Sequence, residues 1–533
     1  AVARTAAVAR TAAVARPHPH RWWILPVLCT SVFLVVVDNT IVNVALPTLS
    51  RELDAGTSQL QWIVDAYSLV FAGLLLAFGS LGDRYGRKGA LQLGLVVFAA
   101  TSVLAAFAGS AGQLVAARAA MGVGAALIFP ATLAILSNVF TDPTERAKAI
   151  GVWSAITGLA VALGPVTGGW LLEHFWWGSV FLVNLPIVAV ALVLGALLVP
   201  RTRDPEAGRL DPVGLVSSVA AVVLVVHTVI EAPHRGWTAP ATIVGFAAFA
   251  ALFVAFIAWE RRRRDPMLDV SVFRNPRFSA ASSSVAIAFF ALFGFIFLVT
   301  QYFQFVRGYS TLSAGLHTLP FAVAAGVAAP LAARLALRFG STRVVSAGLV
   351  AMSLGFAWAS TLEADTPYWG PVVAQMVLMG GGLTMTTAPS TEAILGALPR
   401  EKAGVGSAVN DTTRELGGTL GVAVVGSVFS SLYGPRLMDR LAGLPIPDDA
   451  LEVARGSVHG AAAVAEHAPP AGRAVVLDAT TDAFLGGFAG AVRVAALATA
   501  LGALVAWRFL PARGVEPTSS SHAGARGGAG AAP

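Results

Sequence analysis

The chain is short of charge. Of its 533 residues 12% are Asp, Glu, Lys or Arg and 56% are hydrophobic, where a soluble protein carries roughly 25% charged residues. A water-facing surface for so long a chain cannot be built from this composition. Its single cysteine, Cys29, excludes a disulfide framework and a thiolate metal cluster. Its three lysines, Lys88, Lys148 and Lys402, precede Gly89, Ala149 and Ala403, so no Gly-Lys-Ser/Thr phosphate loop exists. No His/Glu metal pair or nucleophile elbow is present, which argues against an enzyme. Only His227 and His317 of nine histidines fall in long apolar runs, and no metal site is visible. The net charge of +7 points to nucleic acid only where basic residues form a patch on a soluble face. Here they sit between apolar runs, as topology signals. The chain is an all-α, polytopic membrane protein.

A spanning helix needs about 20 apolar residues to cross about 30 Å of hydrocarbon. Fourteen runs qualify, at 23–47, 59–78, 89–109, 113–137, 147–172, 178–199, 212–231, 241–259, 279–303, 313–333, 344–362, 370–391, 404–430 and 485–508. An even number puts both termini on one side. With the N-terminus in the cytoplasm, the cytoplasmic loops hold 26 Lys and Arg, including the run Arg261, Arg262, Arg263, Arg264, and the outer loops hold 7. Positive residues stay inside, so this orientation is the expected one. Arg118, Arg414 and Arg493 fall within spans. Arginine outnumbers lysine 33 to 3, the coding bias of a GC-rich, actinobacterial type of genome.

The expected units are a basic, disordered N-terminal tail (1–21), a six-helix bundle (22–199), a linker with two further spans (200–277), a second six-helix bundle (278–510) and a disordered tail (511–533). The tract 431–484 is an outer excursion that either packs on the outer mouth or is flexible. The repeat AVARTA in residues 1–16 is too polar to span.

Six motifs carry chemistry. After the second span comes Gly79-Ser-Leu-Gly-Asp83-Arg84-Tyr-Gly86-Arg87-Lys88. Its glycines allow a tight turn, Asp83 lies near the start of the third helix, where the dipole favours an anion, and Arg84, Arg87 and Lys88 can lock to neighbouring carboxylates or carbonyl ends. A degenerate copy, with Arg338 and Gly340 at the places of Arg84 and Gly86, follows the tenth span. The fifth span carries Gly158-x5-Gly164-Pro165-x-x-Gly168-Gly169, where Pro165 removes a helix hydrogen bond and the glycines permit close helix contact. The first span sets Asp38 in an apolar helix. An acid there costs several kcal/mol unless paired, hydrated or protonated, and is a functional candidate by default. Arg118 in the fourth span must likewise face the bundle and pair. In the second span Gln61, Asp65 and Ser68 share a face, with Asp65 either in the bundle or at the lipid headgroups. In the thirteenth span Asp411 can pair with Arg414 or stand near Glu415. The aromatics Trp62, Tyr67, Phe129, Trp153 and Phe293 either line a cavity for planar or cationic molecules or pack against lipid.

The loop from Gly79 to Lys88 resembles the signature loop of the major facilitator superfamily. The Gly-Pro motif of the fifth span resembles the antiporter motif of its exporters, and the segment around Asp38 is similar to the first-helix motif of the fourteen-span drug:proton antiporter family, which includes quaternary-ammonium and multidrug exporters. The resemblance covers about residues 23–510. It implies two pseudo-symmetric six-helix bundles, with spans seven and eight as an added central pair. It also implies Asp38, Arg118, Asp411 and Glu415 as proton-coupling residues, and Asp65 with the five aromatics as substrate-binding residues. The signature-loop residues and Gly158, Gly164, Pro165, Gly168 and Gly169 become gating residues. The function implied is proton-coupled export of amphipathic drugs or antibiotics, cationic ones among them, across the cytoplasmic membrane. The protein would act as a monomer, without cofactor, driven by the proton-motive force. A facilitator-fold lipid or metabolite transporter is the alternative.

Overall fold

The computed structural model describes residues 19–203, 211–263, 266, 268–397 and 403–511, and every regular element among them is helical. The expectations for the tails up to residue 18 and from residue 512, and for Arg264 and Lys402, fall outside the described residues. In chain order the helices are α1 (Arg21–Glu52), α2 (Thr57–Tyr85), α3 (Arg87–Ala106), α4 (Ala111–Val139), α5 (Pro143–His174), α6 (Ser179–Leu198), α7 (Pro212–Arg235) and α8 (Pro240–Arg262). They continue with α9 (Pro276–Val306), α10 (Thr311–Phe339), α11 (Ser341–Ala359), α12 (Val373–Gly396), α13 (Ala403–Leu441), α14 (Asp448–Gly456), α15 (Val458–His467) and α16 (Pro470–Phe509). Among the described residues twelve helices are long and apolar enough to cross a bilayer, and α2, bent by 52° between Leu75 and Ala77, makes a thirteenth. At the place of the remaining expected span stands α12, whose 24 residues include Gly380, Gly381, Gly382, Thr384 and Thr386. Together with Gln375 they leave it without an apolar stretch as long as those of the other spans.

Local chemistry starts three of the helices in the same way. The side chains of Asp142, Asp211 and Asn275 accept hydrogen bonds from backbone N–H groups of the first turns of α5, α7 and α9. Each is followed by proline as the first helical residue, where the missing N–H costs nothing. Between α2 and α3 the chain passes through Gly86 at φ +124°, and between α10 and α11 through Gly340 at φ +86°, a region that residues with a Cβ avoid. The two turns that look alike in sequence therefore share a backbone requirement.

The same pairings recur in the two halves. In the first, α1 packs on α5, α2 on α4 and α3 on α4; in the second, α9 packs on α13, α10 on α12 and α11 on α12. Small residues set the close approaches, as they do where lipid offers no hydrophobic drive between helices. Gly94 and Gly124 face each other across α3 and α4, Gly348 and Gly382 across α11 and α12, and Gly417 and Gly421 let α13 lie on the backbone of α9 at Ala286 and Phe290. The added helix α7 lies across the seam, against α2 of one half and α13 of the other. There the Ser58 and Ser427 hydroxyls donate to the Ile230 and Val229 carbonyls at 3.5 and 2.7 Å. Against α7 packs α8.

On the face opposite the chain ends, the outer face under the positive-inside reading, the halves are bonded together. Thr300 Oγ1 and Gln304 Nε2 donate to the Asn43 and Val44 carbonyls, each at 2.9 Å. Thr311 Oγ1 donates to the Gly169 carbonyl at 3.1 Å, and Gln61 Nε2 to the Ala423 carbonyl at 3.0 Å. Among the described residues no hydrogen bond joins the six-helix halves at the other face. The outer excursion is mostly helix. α14 and α15 pack on each other and on α13 and α16, the Tyr433 hydroxyl donates to the Ala454 carbonyl at 3.3 Å, and Thr57 Oγ1 of the first half donates to the Gly456 carbonyl at 3.1 Å.

Helix approach at glycine is testable at Gly122, where a Cβ would stand 2.6 Å from the Tyr67 carbonyl oxygen and 3.0 Å from Val70 Cβ. Gly122→Leu is expected to force α2 from α4 at a cost of about 1–3 kcal/mol or more and to lower the Tm of the purified protein by several degrees. An unchanged Tm would show that α4 does not pack this closely.

Candidate functional site

Two full charges lie inside the first half. Asp38 of α1 and Arg118 of α4 are both 0% exposed, and Arg118 Nη1 meets Asp38 Oδ2 at 2.5 Å. The second carboxylate oxygen accepts from Asn184 Nδ2 of α6 at 2.9 Å, and the same amide reaches Ser102 Oγ of α3 at 3.2 Å. Arg118 Nε donates to the Ile63 carbonyl of α2 at 3.1 Å, and the guanidinium sits 4.3 Å over the Tyr67 ring. The Tyr67 hydroxyl closes the circuit by donating to the Val35 carbonyl of α1 at 3.0 Å. Helices α1, α2, α3, α4 and α6 all converge on one pair. Charges in this setting must be paired and further hydrogen-bonded; here every donor of the cluster but Arg118 Nη2 is engaged. Asn184 and Ser102 were not among the expected site residues; the only trace of them in sequence is a polar side chain inside an apolar run.

The second half holds Asp411, Arg414 and Glu415 on α13. Arg414 Nη1 stands 3.9 Å from Asp411 Oδ1, at the expected i, i+3 spacing. Asn410 Nδ2 donates to Asp411 Oδ1 at 3.3 Å, and Thr391 Oγ1 of α12 donates to Asn410 Oδ1 at 3.1 Å. The Arg414 guanidinium lies 4.6 Å over the Phe289 ring, Phe289 stacks on Phe293 at 6.1 Å, and Phe293 rests against Gly418.

Asp65 is fully buried in the bundle and not at the headgroups. Neither of its carboxylate oxygens has a hydrogen-bond partner. Gln61, one turn earlier, is buried beside the Val422 and Ala423 carbonyls of α13, so this face of α2 lies on the seam between halves.

The aromatics divide. Tyr67, Phe71, Phe129 and Trp153 form a chain with ring centroids 6.0, 5.6 and 5.3 Å apart, anchored by Trp153 Nε1 donating to Thr132 Oγ1 at 3.3 Å. Phe293 belongs to the second half. Trp62 joins neither group: it faces α7, its ring 6.1 Å from His227.

The two gating motifs occupy opposite ends. In the signature loop Arg87 Nε meets Asp83 Oδ1 at 2.6 Å, Arg87 Nη1 reaches the Ala134 carbonyl at 3.5 Å and Lys88 Nζ the Ala196 carbonyl at 2.7 Å. These bonds hold the loop to α4 and α6 of its own half, while Arg84 is exposed over Tyr85 and Gly79 lies against Pro130 of α4. Asp83 stands in the last turn of α2 and not in the first turn of α3, because the helix runs on to Tyr85 and breaks only at Gly86. In α5, Gly164 and Gly168 press on Thr40 and Ile41 of α1, Gly169 on Leu312 of α10, and the Pro165 carbonyl on Gly315 of α10. A Cβ at Gly168 would fall 2.7 Å from Ile41 Cγ1. The helix continues through Pro165, and Gly158 stands in open space. Pro165 and Gly169 thus sit in the outer seal between halves, while Gly164 and Gly168 fix α5 on α1 within the first half.

Residues 28–422 match the family described as Major Facilitator Superfamily, and the chain belongs to it. It is a multi-span membrane transporter and not an enzyme. It is 39% identical over 483 residues to the multidrug efflux pump LfrA of Mycolicibacterium smegmatis, covering 90% of this chain and 94% of that one. To the methyl viologen resistance protein SmvA of Salmonella typhimurium it is 37% identical over 475 residues, covering 87% and 93%. Its fold is similar to the crystal structure of a bacterial homologue of the human lysosomal transporter Spinster, inward-facing and unoccupied, with a TM-score of 0.65 at 19% identity over 93% of this chain and 99% of that one.

Breaking the buried pair from one side leaves an uncompensated charge, at about 3–5 kcal/mol. Arg118→Met alone is expected to lower Tm strongly, and Asp38→Leu with Arg118→Met to recover most of the loss. Additive losses in the double variant would contradict the pairing.

Proposed function

We propose that the protein is a drug:proton antiporter of fourteen spans, with both termini in the cytoplasm of a bacterial cell. It exports amphipathic molecules, cations among them, as a monomer driven by the proton-motive force. The observation that carries this reading is a buried acid–arginine pair in the first half of a chain whose relatives are named for drug efflux and resistance. Alternating access is the mechanism. The seal of Pro165 and Gly169 against α10 closes the outer path, and the cytoplasmic face admits the drug.

Proton and drug compete for carboxylates. A proton taken by Asp38 removes the charge that holds Arg118, so α1 and α4 lose their tie and can move relative to one another. A drug that binds more tightly while the pair is intact favours the other state, and the proton gradient sets the direction. Asp411 and Glu415 give the second half the same kind of group, with Arg414 as internal neutraliser. Tyr67, Phe129, Trp153 and Phe293 supply apolar faces to the drug from both halves. Asp65, with no cation beside it, supplies a counter-charge once the seam opens, because a pair in low dielectric gains far more than in water.

Asp38→Asn is expected to abolish uphill efflux in proteoliposomes carrying a pH gradient while drug binding persists; full gradient-driven efflux by this variant would remove Asp38 from coupling. Asp65→Asn is expected to weaken efflux of lipophilic cations at least 10-fold and to spare neutral substrates. Equal loss for both classes would make Asp65 a coupling or structural residue.

A further inference from the structure

A cavity of about 570 Å³ opens at the outer face, above the glycine seal and away from both charge clusters. Its walls come from both halves. The first contributes Arg51 and Glu52 at the end of α1, Glu173 in the last turn of α5 and Trp176 in the loop after it; the second contributes Tyr309 before α10 and His459 of α15. The volume lies within the usual range of small-molecule pockets, about 300–1,000 Å³. With Arg51 set against Glu52 and Glu173, the lining carries one net negative charge. Glu52 is exposed and forms no ion pair among the described residues, and Glu173 is committed only to the backbone N–H of Leu312, at 3.2 Å. Carboxylates among aromatic faces suit an organic cation, which gains from both.

We infer that this cavity is an extracytoplasmic site for aromatic organic cations, and that its occupancy holds the transporter closed on the outside. Because the walls belong to opposite halves, the site exists only while the outer seal is shut. A ligand that binds one conformer alone shifts the equilibrium to it by the factor 1 + [L]/Kd. The site therefore inhibits turnover from the outside and exports nothing. Outer acidity opposes it. His459 faces Arg51, Glu466 and Asp54, and burial first and Arg51 second hold its imidazole below the usual range, so it is neutral at pH 7.5. Protonation at low pH adds a second positive charge beside Arg51 and weakens cation binding.

The probe is propidium, an impermeant aromatic dication. With purified protein in nanodiscs, Glu52→Gln and Trp176→Leu should each raise its Kd at least 5-fold, and Asp482→Asn, which pairs with Arg440 outside the cavity, should change it less than 2-fold. Lowering the pH from 7.5 to 5 should weaken binding to the unaltered protein and leave the His459→Gln variant nearly unaffected. Outside right-side-out vesicles, propidium should slow efflux of a neutral drug without relief by more drug inside. Unchanged Kd in both cavity variants, an equal loss of binding in Asp482→Asn, or relief by internal drug would overturn the inference. Only the vesicle arm rests on the export reading: failure of the unaltered protein to export any drug would refute that reading and leave the binding arm standing as the test of this one.

Discussion

Hydrocarbon does not hold an isolated charge, and the first half of this protein is organised around that constraint. Asp38 can be carried by an apolar α1 only because α4 brings Arg118 against it, α6 brings Asn184, and Tyr67 of α2 covers the guanidinium. Moving any one of these helices exposes part of the cluster to an apolar neighbour. The pair therefore does two things at once: it fixes the mutual position of five helices and, under the proposed coupling role, it turns one proton into a large response. A surface ion pair, worth about 0–1 kcal/mol, could do neither.

The glycine contacts supply the second half of the mechanism. Bare backbone at Gly164, Gly168 and Gly169 lets α5 lie directly on α1 and α10, so the outer seal is made of small, separable contacts and a few hydrogen bonds between halves. Such a seal can open without breaking a core. Asp38 lies three residues from Ile41 and two from Thr40 on the same helix, so the proposed shift of α1 on protonation would reach the α1–α5 contact directly. Across the seam lies α7, bonded to α2 and α13 through Ser58 and Ser427, where it can follow either half only if one of these bonds gives way.

Much of this was legible in the sequence, for reasons that differ by residue. Asp38, Arg118 and the Asp411–Arg414–Glu415 stretch stand out because ions in apolar runs are rare, and the Gly86 and Gly340 turns because only glycine accepts their backbone. Which acid Arg118 holds was not legible, since that depends on five helices meeting, and Asn184 enters for the same reason. Trp62 shares a helix with Tyr67 but turns to α7, a contact 165 residues away in sequence that no local periodicity encodes. The register of Asp83 slipped by a turn because several glycines in the loop could have ended α2. The outer excursion left both readings open, for its helices are short and gain their stability from α13 and α16.

The central claim is that drug and proton compete for the buried carboxylates. The most direct measurement is proton release on adding a cationic drug to the purified protein in weakly buffered solution, across the range pH 6–8. The account predicts stoichiometric release at the pH where the carboxylates are loaded, and a smaller release when Asp38→Asn removes one of them. Tight drug binding with no proton released at any pH would contradict it.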